Sequence, residues 1–574
     1  MKYFLTLLLV STSLLTANAQ DQKIIEYPFN EPGSEPSRGV FGKDDRKEIK
    51  DAEGFKQFAR ATAAMVTKSN AYDDDFYSWS LRDRLSFQFN TDNFDNNVKF
   101  LDQPTVASCT GFLIAPDILV TAGHCINSME EANNVVWIFD YTSESNFIDG
   151  KRLNFKNENI YEVEEILASK FDDETSEDYA VLKLKRASER TPYRFRTSGT
   201  VLENGPIYTI GTPTGLPLKF STNAMVVDTS PEYWFKSDID AFPGNSGGPV
   251  FDKNGFIEGI LVRGAVTYNE GRYTGDYKYD STCNCVKTVQ WDDVKYTAGC
   301  QAHKINTLPT EVLLNAIYSN IAYAIVNNLI ERFESWEIYS WIFNHTYTTA
   351  RGRFENLALE SNNIQALEKI LKYSAENLSD DYARALIDIA ISKNNLELLE
   401  LLLNNDLLAD AGITTGYTAL QNALDDKNIA VAELLIAFGA DVKTLTNKQV
   451  RVLLDAAIRN ETTESLETYL NTGISPDASA PGMLSALQIA VKEEQIDIVE
   501  TLISYGADVD IKTSDNDNLL HLAAKTGNMN LAKLLIKNNV STKSKNKDKM
   551  RPEKIAKKAG YKSLAKYLRK VRKS

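Results

Sequence analysis

Long apolar stretches are scarce in this chain of 574 residues. After the first 19 residues, no run of about 18 uncharged apolar residues occurs, which argues against a membrane-spanning helix. Low-complexity tracts are also missing, and 43% hydrophobic with 25% charged residues is typical of folded proteins. A positive balance is missing too, because the formal net charge is −15. That charge argues against a nucleic-acid partner.

The N-terminus is the one place with a clear apolar run. "MKYFLTLLLVSTSLLTANA" has one lysine, a short apolar core and small residues at Ala17 and Ala19. This pattern predicts a secretory signal peptide over residues 1–19, and no cysteine follows the expected cleavage site to carry a lipid. We therefore expect a soluble, secreted or periplasmic protein in which disulfides are possible.

Cysteine and histidine are both rare, with five and four copies. Cys109 and Cys125 bracket a hairpin-like stretch that ends in "TAGHC", and a bond between them would clamp the loop that presents His124. The other three leave an odd count, so we expect Cys300 to pair with Cys283 or Cys285. Disulfides are favoured over a zinc site in an exported chain, and no metal or other cofactor is predicted.

The chain shows two successive sequence patterns, one typical of strands and one typical of helices. From about Val40 to Cys300, short β-rich runs such as "YAVLKLK" and "FIEGILVRG" alternate with Gly, Asn, Asp and Pro, which predicts a β-sandwich or barrel. From Leu308 to Asn344 the sequence predicts a helical connector that could pack on either half.

A repeat of about 33 residues follows the connector. Each unit has a small residue in a first helix and a leucine-rich second helix, which predicts a stacked solenoid. "GYTALQNA", "NLLHLAAKTGN" and "GADV" resemble the ankyrin repeat, in about seven units. The resemblance implies a protein partner and gives His521 a local hydrogen bond at a turn. The recurring alanines are Ala358, Ala390, Ala423, Ala456, Ala490, Ala523 and Ala556.

Three motifs carry the chemistry of the N-terminal half. "TAGHC", "EDYAVLKL" and "GNSGGP", in this order, resemble the chymotrypsin-like (trypsin fold) serine endopeptidases of bacterial type. That family has two six-stranded β-barrels with the catalytic residues between them. The resemblance implies His124 as general base, Asp178 as its orienting acid and Ser246 as nucleophile. It also implies an oxyanion hole made by the N–H groups of Gly244 and Ser246.

Two features depart from the vertebrate digestive members of the family. Asn245 stands where those members have the aspartate that pairs with a newly freed N-terminus, so that ion pair cannot form. "GVFGKDDRKE" from Gly39 resembles the mature start of bacterial glutamyl endopeptidases, so residues 20–39 are either a propeptide or a leader that is never cut.

The substrate pocket is less well defined. Asp240, six residues before Ser246, matches an aspartate that attracts Arg or Lys side chains, and Gly264 matches a glycine that keeps the pocket open. Arg263 could offset Asp240 or favour an acidic residue, and Asp240 could instead cap a turn. The balance favours a weak preference for cleavage after Arg or Lys.

The sequence thus predicts a multidomain protein, with an all-β double-barrel catalytic half and an all-α ankyrin-repeat solenoid. The leading function is a secreted serine endopeptidase with a protein-binding module. An inactive protease-fold scaffold, whose ankyrin array binds proteins, and an esterase using the same triad are the alternatives. The expected segments are the signal peptide (1–19), the propeptide or leader (20–39), the trypsin-like domain (40–307), the connector (308–344) and the repeats (345–574).

Overall fold

The computed structural model describes residues 44, 46–52, 59–72, 75–145, 147–264, 268–269, 272–273, 276–290, 299–344, 353–374, 378–405, 418–479 and 482–573. The predicted signal peptide and the predicted propeptide or leader lie outside these residues. The chain divides into two compact units, Met1–Ile370 and Leu371–Ser574. None of the helices in the described ranges is both long and apolar enough to cross a membrane.

Strands dominate the first unit up to residue 304. They are β1 (Lys47–Glu48), β2 (Thr62–Thr67), β3 (Ala71–Tyr72), β4 (Asp75–Tyr77), β5 (Cys109–Ala115), β6 (Ile118–Thr121), β7 (Val135–Phe139), β8 (Arg152–Asn154), β9 (Ile160–Tyr161), β10 (Val163–Asp172), β11 (Glu177–Leu184), β12 (Pro206–Gly211), β13 (Lys219–Asp228), β14 (Trp234–Ser237), β15 (Pro249–Asp252), β16 (Ile257–Arg263), β17 (Tyr268–Asn269), β18 (Arg272–Tyr273), β19 (Tyr277–Asp280), β20 (Cys285–Thr288) and β21 (Cys300–Lys304).

Six strands close into a barrel, which we call the second barrel. The order β13-β12-β15-β16-β21-β14 returns to β13 through an additional β13–β14 pairing, and β1 attaches outside to β13. Its core consists of apolar side chains that point inward from every second position, among them Ile207, Phe235, Val250 and Leu261. This closed barrel agrees with the fold class predicted from the sequence.

The other large sheet, which we call the first barrel, has the order β10-β11-β6-β5-β2-β7-β9, and its edge strands β10 and β9 are not paired with each other. Its two edge strands, β9 and β10, are consecutive in the chain and are joined through the single residue Glu162. The Glu162 carboxylate binds Lys185 at 2.7 Å and Lys68 at 2.5 Å, and these ammonium groups lower its pKa to about 2. The chain itself and this half-exposed ion cluster therefore join the edges of the sheet.

The predicted connector forms helices that pack on the barrels within the first unit. The helices are α3 (Thr310–Val326), α4 (Ile330–Ser335) and a 3₁₀ segment, Glu337–Asn344. In the described residues before them lie the short α-helices α1 (Leu81–Phe89) and α2 (Met129–Asn133). Asn320 Nδ2 donates to the Ile114 carbonyl of β5 at 2.6 Å. The buried Tyr339 hydroxyl donates to the Phe195 carbonyl at 2.7 Å and lies 3.1 Å from the Phe195 N–H.

Seven helix pairs follow in the described ranges. They are α5 (Phe354–Glu360) with α6 (Ile364–Ser374), α7 (Asp380–Ser392) with α8 (Leu396–Asn404), α9 (Ala419–Asp425) with α10 (Ile429–Ala437), α11 (Asn447–Arg459) with α12 (Thr463–Asn471), α13 (Ala486–Lys492) with α14 (Ile496–Ser504), α15 (Leu519–Thr526) with α16 (Met529–Lys537), and α17 (Pro552–Lys558) with α18 (Lys562–Lys573).

Capping boxes begin the first helix of four of these pairs, α9, α11, α13 and α15. In α15 the Asn518 N–H donates to His521 Nδ1 at 3.1 Å, and His521 Nε2 lies 3.0 Å from the Met550 carbonyl of the next pair. This is the local hydrogen bond predicted for His521. The recurring alanines are buried except in α11, where the buried one is Ala457 and not the predicted Ala456.

Candidate active site

His124 lies just beyond β6, where the chain passes very close to the neighbouring hairpin. A Cβ atom at Gly123 would collide with the carbonyl oxygen of Lys170 on β10 and would lie 3.0 Å from that of Tyr179 on β11. Glycine is therefore required immediately before His124. This is the physical reason for the glycine in "TAGHC".

Asp178 is buried at the start of β11 and meets His124 with both carboxylate oxygens. Oδ1 accepts the His124 backbone N–H at 3.0 Å, and Oδ2 lies 2.8 Å from Nδ1. Because an ionised carboxylate only accepts, Nδ1 carries the proton and Nε2 is left as an acceptor. The His124 side chain is 30% exposed and meets the edge of the Phe171 ring at 6.0 Å between centroids.

His303, on β21 of the second barrel, lies behind Asp178, and no sequence motif indicated it. The Asp178 backbone N–H points to His303 Nδ1 at 3.5 Å, and His303 Nε2 lies 3.1 Å from Thr307 Oγ1. The ring is fully buried, and burial lowers the His303 pKa to about 4 despite the nearby Asp178 carboxylate. A neutral imidazole thus supports the strand that carries Asp178.

Ser246 lies in the loop between β14 and β15, and that loop is bonded to both barrels. The Ser246 carbonyl accepts the N–H of Thr110 on β5 at 2.8 Å, and the Gly247 N–H donates to the Leu261 carbonyl of β16 at 2.6 Å. Gly247 has φ +84°, and a Cβ there would collide with Thr110 and Thr121. The loop therefore sits against the strands β5 and β6 that lead to His124.

The two predicted oxyanion donors have unusual surroundings. Asn245, Gly247 and Gly248 all donate their N–H groups within the protein, whereas those of Gly244 and Ser246 have no acceptor among the described residues. The Pro243 carbonyl accepts from the Thr214 N–H, and a trans peptide points its N–H the opposite way. The Gly244 N–H therefore points away from Thr214.

Two buried threonines that sequence reasoning missed hold the Gly244 peptide in place. The Gly244 carbonyl lies 2.7 Å from Thr110 Oγ1 and 2.8 Å from Thr212 Oγ1. The two hydroxyls lie 3.0 Å apart, and Thr110 Oγ1 also accepts the Thr212 N–H at 3.0 Å. One threonine comes from each barrel, so the Gly244 conformation, φ +99°, depends on the junction between the barrels.

Comparison with known proteins agrees with this geometry. The family model of the trypsin-like peptidase domain matches residues 109–260, from the start of β5 into β16. This chain carries a trypsin-like peptidase domain. A model of ankyrin repeats (3 copies) matches residues 356–446 and 487–573.

A curated relative from Bacillus subtilis (strain 168), named "Extracellular metalloprotease", is 27% identical over 197 residues. The match covers 31% of this chain and 59% of that relative. The similarity is therefore confined to part of each protein.

The disulfides of the first unit differ in part from the prediction. Cys109 is bonded to Cys125, the residue directly after His124, as expected. Cys283 is bonded to Cys285, which differs from the predicted pairing of one of them with Cys300. The β19–β20 hairpin brings Cys283 and Cys285 to 5.2 Å between Cα atoms, whereas Cys300 lies in the core of the second barrel with its thiol 3.0 Å from the Ile239 carbonyl.

Two groups of side chains in the described residues come close enough together to be considered as metal sites. The two groups of close His, Cys and Asp side chains are Cys109 with His124 and Cys125, and Asp95 with Cys283 and Cys285. Both pairs of sulfurs are in disulfides, and metals bind thiolates. Neither group is a fitting metal site.

Asp240, the predicted pocket carboxylate, is 2% exposed, and a buried cation acts on it. Arg46, just before β1, is bidentate to Asp44 and lies over the Phe242 ring at 3.7 Å. Burial by itself lowers the pKa of Arg46, but the charges of Asp44, then Tyr277 and least of all Asp240 outweigh it and raise this pKa above its usual value. Asp276, beside Arg46, has its pKa raised to about 7 by burial.

The other two predicted pocket residues lie at the end of β16. Arg263 is partly buried and forms an ion pair with Asp173 at 3.0 Å. A Cβ atom at Gly264 would lie 3.5 Å from the Ala241 carbonyl, so Gly264 lies alongside the segment that begins at Asp240. The three predicted pocket residues thus belong to adjoining segments. Arg46 is the charge partner of Asp240, and Asp173 is that of Arg263.

Asn245 is buried against β12, and its Oδ1 would lie 2.6 Å from a Cβ at Gly211. A buried aspartate here would need a cation to offset its charge, but a neutral amide does not. The side chain is therefore compatible with a loop around Ser246 that forms without an ion pair to a new N-terminus.

Proposed function

We propose that this protein is an exported serine endopeptidase that cleaves peptide bonds with His124, Asp178 and Ser246. The observation that supports it most is the contact of both Asp178 oxygens with His124, beside a loop whose Gly244 and Ser246 N–H groups have no acceptor among the described residues. A scaffold that only binds would not need either arrangement.

The geometry supports a two-step acyl transfer. His124 Nε2 takes the Ser246 Oγ proton as that oxygen bonds to the substrate carbonyl carbon, and the carbonyl oxygen becomes an oxyanion. The Gly244 and Ser246 N–H groups donate to that oxyanion, and Asp178 stabilises the imidazolium. The imidazolium then protonates the leaving amine as the C–N bond breaks. Water, deprotonated by His124, hydrolyses the acyl-enzyme in the second step.

The name of the Bacillus subtilis relative raises a metal-dependent reaction for this chain. The residues near His124 do not support it, since the sulfurs of Cys109 and Cys125 are bonded to each other. The proposal therefore assigns the reaction to the serine. A chelator should leave activity unchanged, and an irreversible fluorophosphonate should abolish it.

For specificity, we propose weak selectivity for Arg or Lys before the cleaved bond. Asp240 supplies the negative charge, and Arg46 offsets part of it, which supports a weak rather than a strong preference. Arg263, paired with Asp173, is the candidate that would instead favour Glu or Asp.

Export and partner binding complete the proposal. The N-terminal sequence pattern and the word "Extracellular" in the relative's name support secretion. The ankyrin repeats support a protein partner, which recruits substrate or restrains the peptidase.

The test compares the mature protein, its Ser246→Ala variant and Ser230→Ala as a control at an exposed serine of the neighbouring loop. Each is incubated with denatured casein, and mass spectrometry identifies every new peptide end. The proposal expects cleavage by the parent and the control and none by Ser246→Ala. Ends after Glu or Asp would assign the pocket to Arg263.

Two outcomes would overturn the endopeptidase. If the parent protein, with or without residues 20–39, does not cleave casein, the inactive scaffold is favoured. Hydrolysis of p-nitrophenyl esters without any new peptide end would favour the esterase.

A further inference from the structure

A basic cavity lies in the first unit, between the chain after β11 and the connector helix α4. Its volume is about 470 Å³, within the range of small-molecule sites. Arginines come to it from three separate segments of the chain, and two glutamates, Glu189 and Glu331, also line it. The arginines are Arg60, Arg190, Arg194 and Arg332.

Arg332 is the side chain that this cavity leaves without a counter-charge. It is 8% exposed, and its Nε and Nη2 are buried without a hydrogen-bond acceptor among the described residues. It forms no ion pair with any of these residues, and its one close contact of note is the Tyr323 ring, 4.8 Å from the guanidinium carbon. Burial lowers the pKa of Arg332, the opposite of what a carboxylate neighbour would do.

The other cavity charges leave room for an anion. Arg190 binds Asp140 at 2.6 Å and Asn159 at 2.7 Å, so its charge is already offset. Arg194 is buried over the Phe256 ring at 4.6 Å. Glu189 and Glu331 are exposed to solvent, where water screens their charges.

We propose that this cavity binds a small oxyanion, a phosphate or a carboxylate group, with Arg332 as its main counter-charge. A buried guanidinium without an acceptor is costly, and a planar fork of N–H donors suits both oxyacids. An anion here would contact Arg332 of the connector and Arg194 of the barrel segment together. The bound anion would therefore hold α4 against the trypsin-like domain. This proposal does not rest on the proposed catalytic function.

The direct test is calorimetric titration of inorganic phosphate, sulfate and citrate into the full-length Ser246→Ala protein, at constant ionic strength in chloride buffer. The same titrations are run on two further variants of that protein. Arg332→Met removes the cavity charge, and Arg384→Met removes an exposed arginine of α7 as a matched charge control.

We expect saturable binding that weakens at least about tenfold in Arg332→Met and is unchanged in Arg384→Met. Tighter binding of phosphate and sulfate than of citrate would identify a phosphate-type ligand, and the reverse order a carboxylate ligand. No binding of any of the three anions, or equal binding by Arg332→Met, would overturn the proposal.

Thermal unfolding separates this role from a purely structural one. All six tryptophans lie between Trp79 and Trp341, so their fluorescence reports on the first unit. In phosphate-free buffer, Arg332→Met should raise the unfolding midpoint, because it removes an unpaired buried charge. Phosphate should raise the midpoint of the parent by roughly 2–4 °C but leave that of Arg332→Met unchanged. A lower midpoint for Arg332→Met without any phosphate effect would contradict the proposal.

Discussion

Both carboxylate oxygens of Asp178 bind one residue, His124, through its backbone N–H at 3.0 Å and through Nδ1 at 2.8 Å. The first contact sets the position of the loop, and the second sets the tautomer of the ring. His124 Nε2 is therefore left as the atom to which the proposed mechanism assigns the Ser246 proton.

Replacing Asp178 with asparagine should keep the fold but reverse the tautomer. The amide of the new side chain would donate to Nδ1 of His124, so the proton would move to Nε2, which could no longer accept one. We expect kcat to fall by about 10³–10⁴ with a small change in KM. Steady-state rates on a peptide substrate measure this, with Asp149→Asn as a control at an exposed position. An unchanged kcat in a folded Asp178→Asn protein would exclude the proposed role.

Two glycine substitutions should separate the oxyanion site from the pocket. At Gly244, with φ +99°, a Cβ would collide with the Thr212 carbonyl, so Gly244→Ala should displace the donor. We expect a loss of about 10²–10³ in kcat. Gly264→Ala meets only an ordinary contact at 3.5 Å, so kcat on substrates with small side chains should be retained.

Substrates with long side chains, in contrast to those with small ones, should be cleaved less well by Gly264→Ala. If Gly264 keeps the pocket open, Gly264→Ala lowers kcat/KM for Arg and Lys substrates relative to Ala substrates. A matched peptide series, varied only at the residue before the cleaved bond, measures this ratio. A ratio equal to that of the parent would remove Gly264 from the pocket.

The two disulfides should differ in their effect on stability. Cys109–Cys125 closes a loop of 16 residues around His124, and its loss should cost about 3 kcal/mol. Cys283–Cys285 closes a loop of 2 residues, and its loss should cost about 1 kcal/mol. Urea unfolding of the two double-serine variants, followed by tryptophan fluorescence, tests the difference. Activity should fall in the first variant and persist in the second.

His303 should make the first unit sensitive to acid. Its pKa of about 4 when folded lies below the value near 6.5 of an unfolded histidine. Between these values the unfolded chain binds a proton that the folded chain does not, so stability falls as pH falls from about 6.5 to about 4. This site contributes about 3 kcal/mol to that loss.

His303→Asn removes the titrating group and keeps an acceptor for the Asp178 N–H. We expect the free energy of unfolding, followed by tryptophan fluorescence, to fall less between pH 7 and pH 4 in this variant than in the parent. His521→Asn, in the repeats, serves as the control. Equal pH dependence of His303→Asn and the parent would show that His303 does not titrate in this range.

The buried groups that sequence reasoning missed share one property. His303 meets Asp178 across 125 positions of the chain, and Thr110 meets Thr212 across 102 positions. Arg46 lies over Phe242, which is also far along the chain. Local motifs carry no information about such contacts, because the packing of one barrel on another brings these residues together.

The sequence by itself determined what is encoded over short stretches. Three short motifs were enough to predict His124, Asp178 and Ser246 as candidates. A period of about 33 residues was enough to predict the helix pairs, because turns, caps and helix faces depend on near neighbours. The tertiary structure decided the rest. It paired Cys283 with Cys285, offset Asp240 with Arg46, and left Arg332 buried beside a cavity, since each of these depends on which distant surfaces exclude water together.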